Sequence, residues 1–301
     1  MVLQNKLHKN KLNSKLHSLI LPYGLLFPTI LILGIVLIIP SILSVTNSLY
    51  SWNLLKPNEK EFAFFSNYIK IFLDQTFQRS FIFTFLLIIL TITIEIVLSV
   101  LSALIVINLP LILRKITATT LFIPYMLSPL TVGLIWKLLF SYDGLINEFL
   151  GLLGVNAVTW MVTPASAFIS CVVSEIWRSY PFGFLLLLST LSTLPSEPFE
   201  AAKVDGASKF QIFFRITLPF CKPTLIIILI YQIVLKLRVF DLVYLLTNGG
   251  PVDYTTPLGL LIYRYYFRYY EAGLGASTAV FVLLCSIFVA YIVIKNLSVE
   301  E

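Results

Sequence analysis

Six apolar stretches, at residues 19–43, 81–107, 117–140, 164–194, 223–246 and 273–294, constrain this chain more than any other feature. Each can cross a bilayer, because about 30 Å of hydrocarbon at about 1.5 Å of rise per residue takes about 20 residues. One soluble core has no use for so much apolar sequence: 58% of the residues are hydrophobic, only 12% are charged, and the mean hydropathy is +0.92. In hydrocarbon every backbone N–H and C=O must find its partner within the protein, and closely placed stretches of this length do so as helices. The chain therefore reads as an all-α membrane protein with six transmembrane helices, one transmembrane domain over 19–297. It carries no separate soluble domain, since its longest polar segments are loops, 44–80 and 195–222.

Charge sets the expected orientation. The first stretch follows Lys6, Lys9, Lys11 and Lys15 in a basic tail, residues 1–18. A secretory signal would have a shorter apolar region and a small-residue cleavage site after 41–48, so this helix is expected to be retained. Lys and Arg favour the cytoplasmic side, which puts the N-terminus inside, and six crossings return the tail at 298–301 to the same side. Arg114, Lys115, Lys203, Lys209, Arg215, Lys222 and Lys295 then fall inside, against Lys56, Lys60, Lys70, Arg79, Arg264 and Arg268 outside. This bias explains a net charge of +6 and a pI near 9.1 without a nucleic-acid partner. Cys171, Cys221 and Cys285 lie in or beside helices and read as small buried hydrophobes rather than a disulfide framework. His8 and His17 sit in the basic tail away from any acid or thiol cluster, so no metal site is expected.

The loop 195–222 has clear local signals. Ser196 is placed to N-cap a short helix, with Pro198 in its first turn and Glu197 and Glu200 near its positive end; the helix is expected to reach about Val204. Asp205-Gly206 should break it, Gly206 supplying a positive-φ turn and Asp205 capping the next helix. Phe210, Phe213, Phe214 and Thr217 fall on one face of that second helix, expected along the membrane surface before Pro219 and Pro223 redirect the chain. A loop that transmits force needs a rigid helix with small residues for close approach and a charge for registry, as Glu200, Ala201 and Ala202 offer. An ordinary amphipathic loop helix ended by glycine has the same pattern.

Ionisable groups within the apolar stretches are costly and either pair, snorkel, or line a polar path. Glu95 stands alone in the second stretch, Glu175 and Arg178 lie one turn apart in the fourth and can pair, and Lys236, Arg238 and Asp241 cluster near the outer end of the fifth. A path for hydroxyl-rich cargo would use Trp177, Arg178, Tyr180 and Tyr231 near a break at Pro181-Phe182-Gly183, with Lys236, Arg238 and Asp241; the three cations would also suit an anionic cargo. The aromatic run from Tyr263 to Tyr270 reads as an interfacial belt.

The segment Glu200-Ala201-Ala202-Lys203-Val204-Asp205-Gly206-Ala207, followed by an aromatic at Phe213 or Phe214, then Arg215-Ile216-Thr217-Leu218-Pro219 and Pro223, resembles the coupling-loop signature of binding-protein-dependent ABC importer permeases. A second block, Phe240-Asp241 and then Tyr244-Leu245-Leu246-Thr247-Asn248-Gly249-Gly250-Pro251, resembles the carbohydrate branch of that family, and Tyr263 through Gly273 continues in the same style. The resemblance spans most of the chain from Phe81 onward. It implies a type I importer permease fold with a cytoplasmic coupling helix, in a bacterial inner membrane. It also implies a second permease subunit, two ATPase subunits inside, an external solute-binding protein, and a sugar, polyol or sugar phosphate as cargo. Glu200, Ala201, Ala202, Asp205, Gly206 and Ala207 would form the ATPase interface. No cofactor is expected on this chain, which has no G-x-x-x-x-G-K-[ST] phosphate loop; ATP would be hydrolysed on the partner subunits, and the chain itself would be no enzyme. The rivals are an importer for another solute and an ion-coupled secondary transporter built on Glu95, Glu175 and Asp241. A membrane-embedded enzyme lacks a nucleophile motif or metal spacing.

Overall fold

The computed structural model describes residues 26–297. The basic tail at 1–18 with His8 and His17, the start of the first span at 19–25, and the tail at 298–301 lie outside the described residues. In chain order the elements are α1 (Leu26–Ser48), a two-strand hairpin of β1 (Tyr50–Ser51) and β2 (Glu61–Phe62), α2 (Ser66–Leu73), α3 (Gln75–Ile107), α4 (Leu111–Met126), α5 (Pro129–Leu139) and α6 (Leu145–Leu152). They continue with α7 (Pro164–Ser192), α8 (Glu197–Val204), α9 (Lys209–Lys236), α10 (Asp241–Leu246), α11 (Leu258–Phe267) and α12 (Ala272–Leu297). Among the described residues five helices are long and apolar enough to cross a membrane, or six when α4 and α5 count as one span.

Two expected spans are broken. The stretch 117–140 is not one rod: α4 and α5 meet at 95° across Leu127 and Ser128. Pro129 forces its predecessor out of the helical region, and Ser128 is extended at ψ 138°. The stretch 223–246 is displaced as well as broken. Its helix starts at Lys209, runs through Pro219 and Pro223 and stops at Lys236, leaving Asp241–Leu246 as the separate α10. Pro219 and Pro223 thus do not redirect the chain at the membrane surface. A π-turn at Phe213–Thr217, in which Leu218 N donates to Phe213 O, widens the helix just ahead of Pro219, whose ring has no N–H to give. The expected break at Pro181-Phe182-Gly183 is absent, because α7 passes through Pro181 intact. Ser99 Oγ donates to Tyr180 O at 2.9 Å and Gln232 Nε2 to Ser179 O at 3.2 Å, supplying side-chain bonds to carbonyls beside the proline.

The bundle is built around α3 and α7. Asp74 N-caps α3 by accepting from Thr76 N at 2.9 Å, and the 33-residue helix is about 50 Å long, more than the hydrocarbon alone requires. Gly183 brings α7 against α3, since a Cβ there would stand 2.7 Å from Ser99 Oγ. One core cluster joins Phe83, Leu87, Val132, Cys171 and Leu242; another joins Ala103, Phe184, Leu187, Cys221 and Ile228. Cys171 and Cys221 are buried and Cys285 is partly so, all three as free thiols.

The loop 44–80 is more structured than its polarity suggests. Helix α1 extends through it to Ser48, and Asn67 Nδ2 ties the hairpin down by donating to Ser48 O and Tyr50 O. The aromatic run near the end of the chain is not a simple belt either. Arg264 and Tyr265 are buried, and α11 climbs along α3: Leu258 N donates to Thr84 Oγ1 at 3.0 Å, and Tyr265 Oη to Asp74 Oδ2 at 2.6 Å.

Candidate functional site

Two places stand out, one at an end of the bundle and one in its middle. At the end, α8 carries Glu200, Ala201 and Ala202. Ser196 holds the N-cap position, but its side chain makes no capping bond, and Pro198 occupies the first turn. The C-terminus closes as a Schellman motif. Gly206, at φ +74°, donates its N–H to Lys203 O at 3.1 Å, and Ala207 N donates to Ala202 O at 2.9 Å. Asp205 is therefore the C-cap of α8 and does not cap the next helix. Ser208 does, in a reciprocal capping box with Gln211: Gln211 N donates to Ser208 Oγ and Ser208 N to Gln211 Oε1.

This elbow leaves a notch of about 360 Å³ lined by Ala202, Asp205, Gly206, Ala207, Gln211 and Arg215. Glu200, Ala201 and Asp205 are exposed, as is Val204 at 88%. The aromatics expected on one face are divided: Phe213 and Thr217 turn inward, whereas Phe210 and Phe214 are exposed and pack against each other in a tilted arrangement with ring centres 4.5 Å apart.

In the middle of the bundle the two broken spans break at the same place. A cleft of about 290 Å³ is lined by Pro129, where α5 starts, by Arg238, Val239 and Phe240 between α9 and α10, by Asp241 at the start of α10, and by Glu175 and Arg178 of α7. Irregular backbone at membrane depth is tolerated where it lines a cavity or is buried in protein, and here it does the first. Arg178 Nη2 donates to Glu175 Oε1 at 2.7 Å, the pair expected from their spacing.

Of the residues expected on a path, Arg178, Arg238 and Asp241 meet at this cleft and the others do not. Trp177 packs edge-on against Trp136, and Tyr180 packs on the Phe184 cluster. Tyr231 stacks on Phe182 at 4.3 Å, and its hydroxyl lies 2.8 Å from that of Tyr125. Lys236, the last residue of α9, does not line the cleft with Arg238 and Asp241. It is 1% exposed and lies 2.9 Å from Glu95 Oε1 and 3.1 Å from Glu175 Oε1. Glu95 is thus not alone, and nothing in its sequence neighbourhood names a partner 141 positions away.

Sequence reasoning also missed Arg264, which it placed in an external loop. Its guanidinium organises the turn after α10 by donating to Asn248 O at 2.7 Å, Thr256 Oγ1 at 3.1 Å and the Asp253 carboxylate. Gly249, at φ +78°, makes room: a Cβ there would stand 2.8 Å from Arg264 Nη2.

The model of the family described as "Binding-protein-dependent transport system inner membrane component" matches residues 10–298. The trehalose/maltose transport system permease protein MalF of Thermococcus litoralis is 35% identical over 287 residues, 94% of this chain and 97% of its own length. The sulfoquinovosyl glycerol transport system permease protein SmoG of Agrobacterium fabrum is 31% identical, covering 92% of this chain and 90% of its own. Among solved structures, a chain of a bacterial alginate ABC transporter in complex with a pentasaccharide-bound periplasmic protein superposes with TM-score 0.79 at 23% identity, over 93% of this chain and 94% of that one. The fold is that of type I importer permeases. With the family model covering nearly all of its length, the chain belongs to the binding-protein-dependent transport system inner membrane components, the permease subunits of ABC importers, whose ATP is hydrolysed on separate ATPase subunits.

Proposed function

We propose that this permease carries a sugar or a related polyol or sugar phosphate, and that α8 is the coupling helix seated on an ATPase subunit through Glu200, Ala201, Ala202, Asp205, Gly206 and Ala207. The observation that carries the reading is the elbow: a short helix closed at its C-terminus by the Gly206 and Ala207 backbone bonds and followed at once by the Ser208 capping box, with Glu200, Ala201 and Gly206 exposed. Such a unit moves as a rigid lever rather than bending. The chain works beside a second permease subunit, above two ATPase subunits and below an external solute-binding protein, with both termini in the cytoplasm. The basic residues of the α8 and α9 region support that orientation.

Closure of the ATPase subunits drives the two coupling helices together and switches the bundle between inward- and outward-facing states, and cargo passes by Arg178, Arg238 and Asp241. Relatives named for trehalose, maltose and sulfoquinovosyl glycerol support the sugar class, and the guanidinium groups at the cleft fit hydroxyls and anionic substituents alike.

The test is uptake by Glu200→Lys and Gly206→Pro proteins, with affinity purification in mild detergent. Proline at 206 cannot adopt φ +74° or donate to Lys203 O. Both variants are expected in the membrane but without transport, with the ATPase lost from the purified complex. Normal uptake by both, or transport driven by an ion gradient without ATP, refutes the reading.

A further inference from the structure

The charges buried behind the cleft form one lattice. Glu175 accepts from Arg178 Nη2 at 2.7 Å, from Ser179 Oγ at 2.9 Å and from Lys236 Nζ at 3.1 Å, all at Oε1. Lys236 Nζ also donates to Glu95 Oε1 at 2.9 Å. The lattice joins α3, α7 and the last residue of α9, and it balances the Glu95 and Glu175 carboxylates with the Lys236 and Arg178 cations. It is graded in exposure: the side chains of Glu95, Glu175 and Lys236 are 3%, 2% and 1% exposed, but that of Arg178 is 14% exposed and opens on the cleft.

We infer that Lys236 and Glu95 are positioning residues for transport: they hold Glu175 so that it presents Arg178 to the cleft. This rests on the cleft being the cargo path. Isolated ion pairs are a poor way to gain stability in a low-dielectric interior, and apolar residues of the same size commonly do as well. The lattice does what an apolar core cannot. It fixes a guanidinium at a polar wall and anchors the free end of α9 where the span breaks.

Charge balance makes the idea specific. Without Lys236, Arg178 is the one cation left to the two carboxylates of this lattice and is drawn away from the cleft. If Glu95 is neutralised as well, Glu175 and Arg178 again form a balanced pair. Glu95 is the less firmly held member, because its Oε2 has no hydrogen-bond partner among the described residues.

The experiment is uptake per assembled importer in proteoliposomes, with ATP hydrolysis measured alongside, for Lys236→Met, Glu95→Gln and the double variant. Lys236→Met is expected to lower uptake about tenfold while ATP hydrolysis continues, and the double variant to recover to within about threefold of the parent. Because uptake is read per assembled importer with ATP hydrolysis alongside, a loss of folding alone does not register in it; a double variant no better than Lys236→Met overturns the inference, as does unchanged uptake in Lys236→Met. Should Lys236→Met fail to assemble, Glu95→Gln alone decides: reduced uptake with ATP hydrolysis retained supports the role, and uptake equal to the parent removes it. Arg238→Gln, on the cleft but outside the lattice, tests the underlying reading separately. Normal uptake there removes the cargo path, whereas normal uptake in Lys236→Met beside a defective Arg238→Gln removes only the positioning role.

Discussion

Single residues decide most where a charge is enclosed. Arg264 spans Asn248 O, Thr256 Oγ1 and Asp253, so Arg264→Met strands three acceptors at once and should cost about 3 kcal/mol, read as a lower thermal unfolding midpoint in detergent. Arg264→Lys should restore less than half of that, because one ammonium lacks the planar fork that reaches all three. The pairing of Glu175 with Arg178 was legible from a spacing of three, since one helical turn brings the groups together whatever surrounds them. The pairing of Glu95 with Lys236 was not, because it depends on how two distant helices rotate about their axes.

At the scale of the element, the end of α8 was readable, whereas the cap of the next helix, made by Ser208 rather than Asp205, and the breaks in apolar runs were not. Gly206 ends α8 as its sequence suggests, since the positive φ needs a residue without Cβ. Hydropathy over 117–140 stays high straight through the 95° turn, because a bilayer-length window averages over Pro124 and Pro129. The break after Lys236 has no proline or glycine of its own. It is shaped by Gly259 of α11, where a Cβ would stand 2.6 Å from Val239 O. The half-helix α5 packs equally tightly on α10 at Gly133, where a Cβ would lie 2.8 Å from Leu242 O. Gly133→Leu should therefore push the two apart, costing about 2 kcal/mol and abolishing uptake, with unfolding in detergent and transport measured on the same preparation.

Across the whole molecule the packing is uneven. The apolar window of α1 has none of its residues buried against the rest of the chain, whereas that of α7 has 56%. Replacement of an exposed α1 residue, as in Val36→Ala, should change the stability of the isolated chain by less than about 0.5 kcal/mol, while Leu187→Ala, in the α7 core, should cost about 3 kcal/mol. Equal effects in a detergent unfolding series would contradict this division.

The all-helical membrane class, the near-complete set of apolar spans and the turn at Gly206 after α8 all followed from residue order, because hydropathy and glycine geometry act over a few consecutive residues. The meeting of two broken spans at one cleft, the withdrawal of Lys236 into the interior and the anchoring by Arg264 did not. Each joins groups far apart in the chain, and which of them meet depends on how long, nearly uniform apolar helices turn and slide against one another, a choice that steric fit and charge pairing make only once the bundle is assembled.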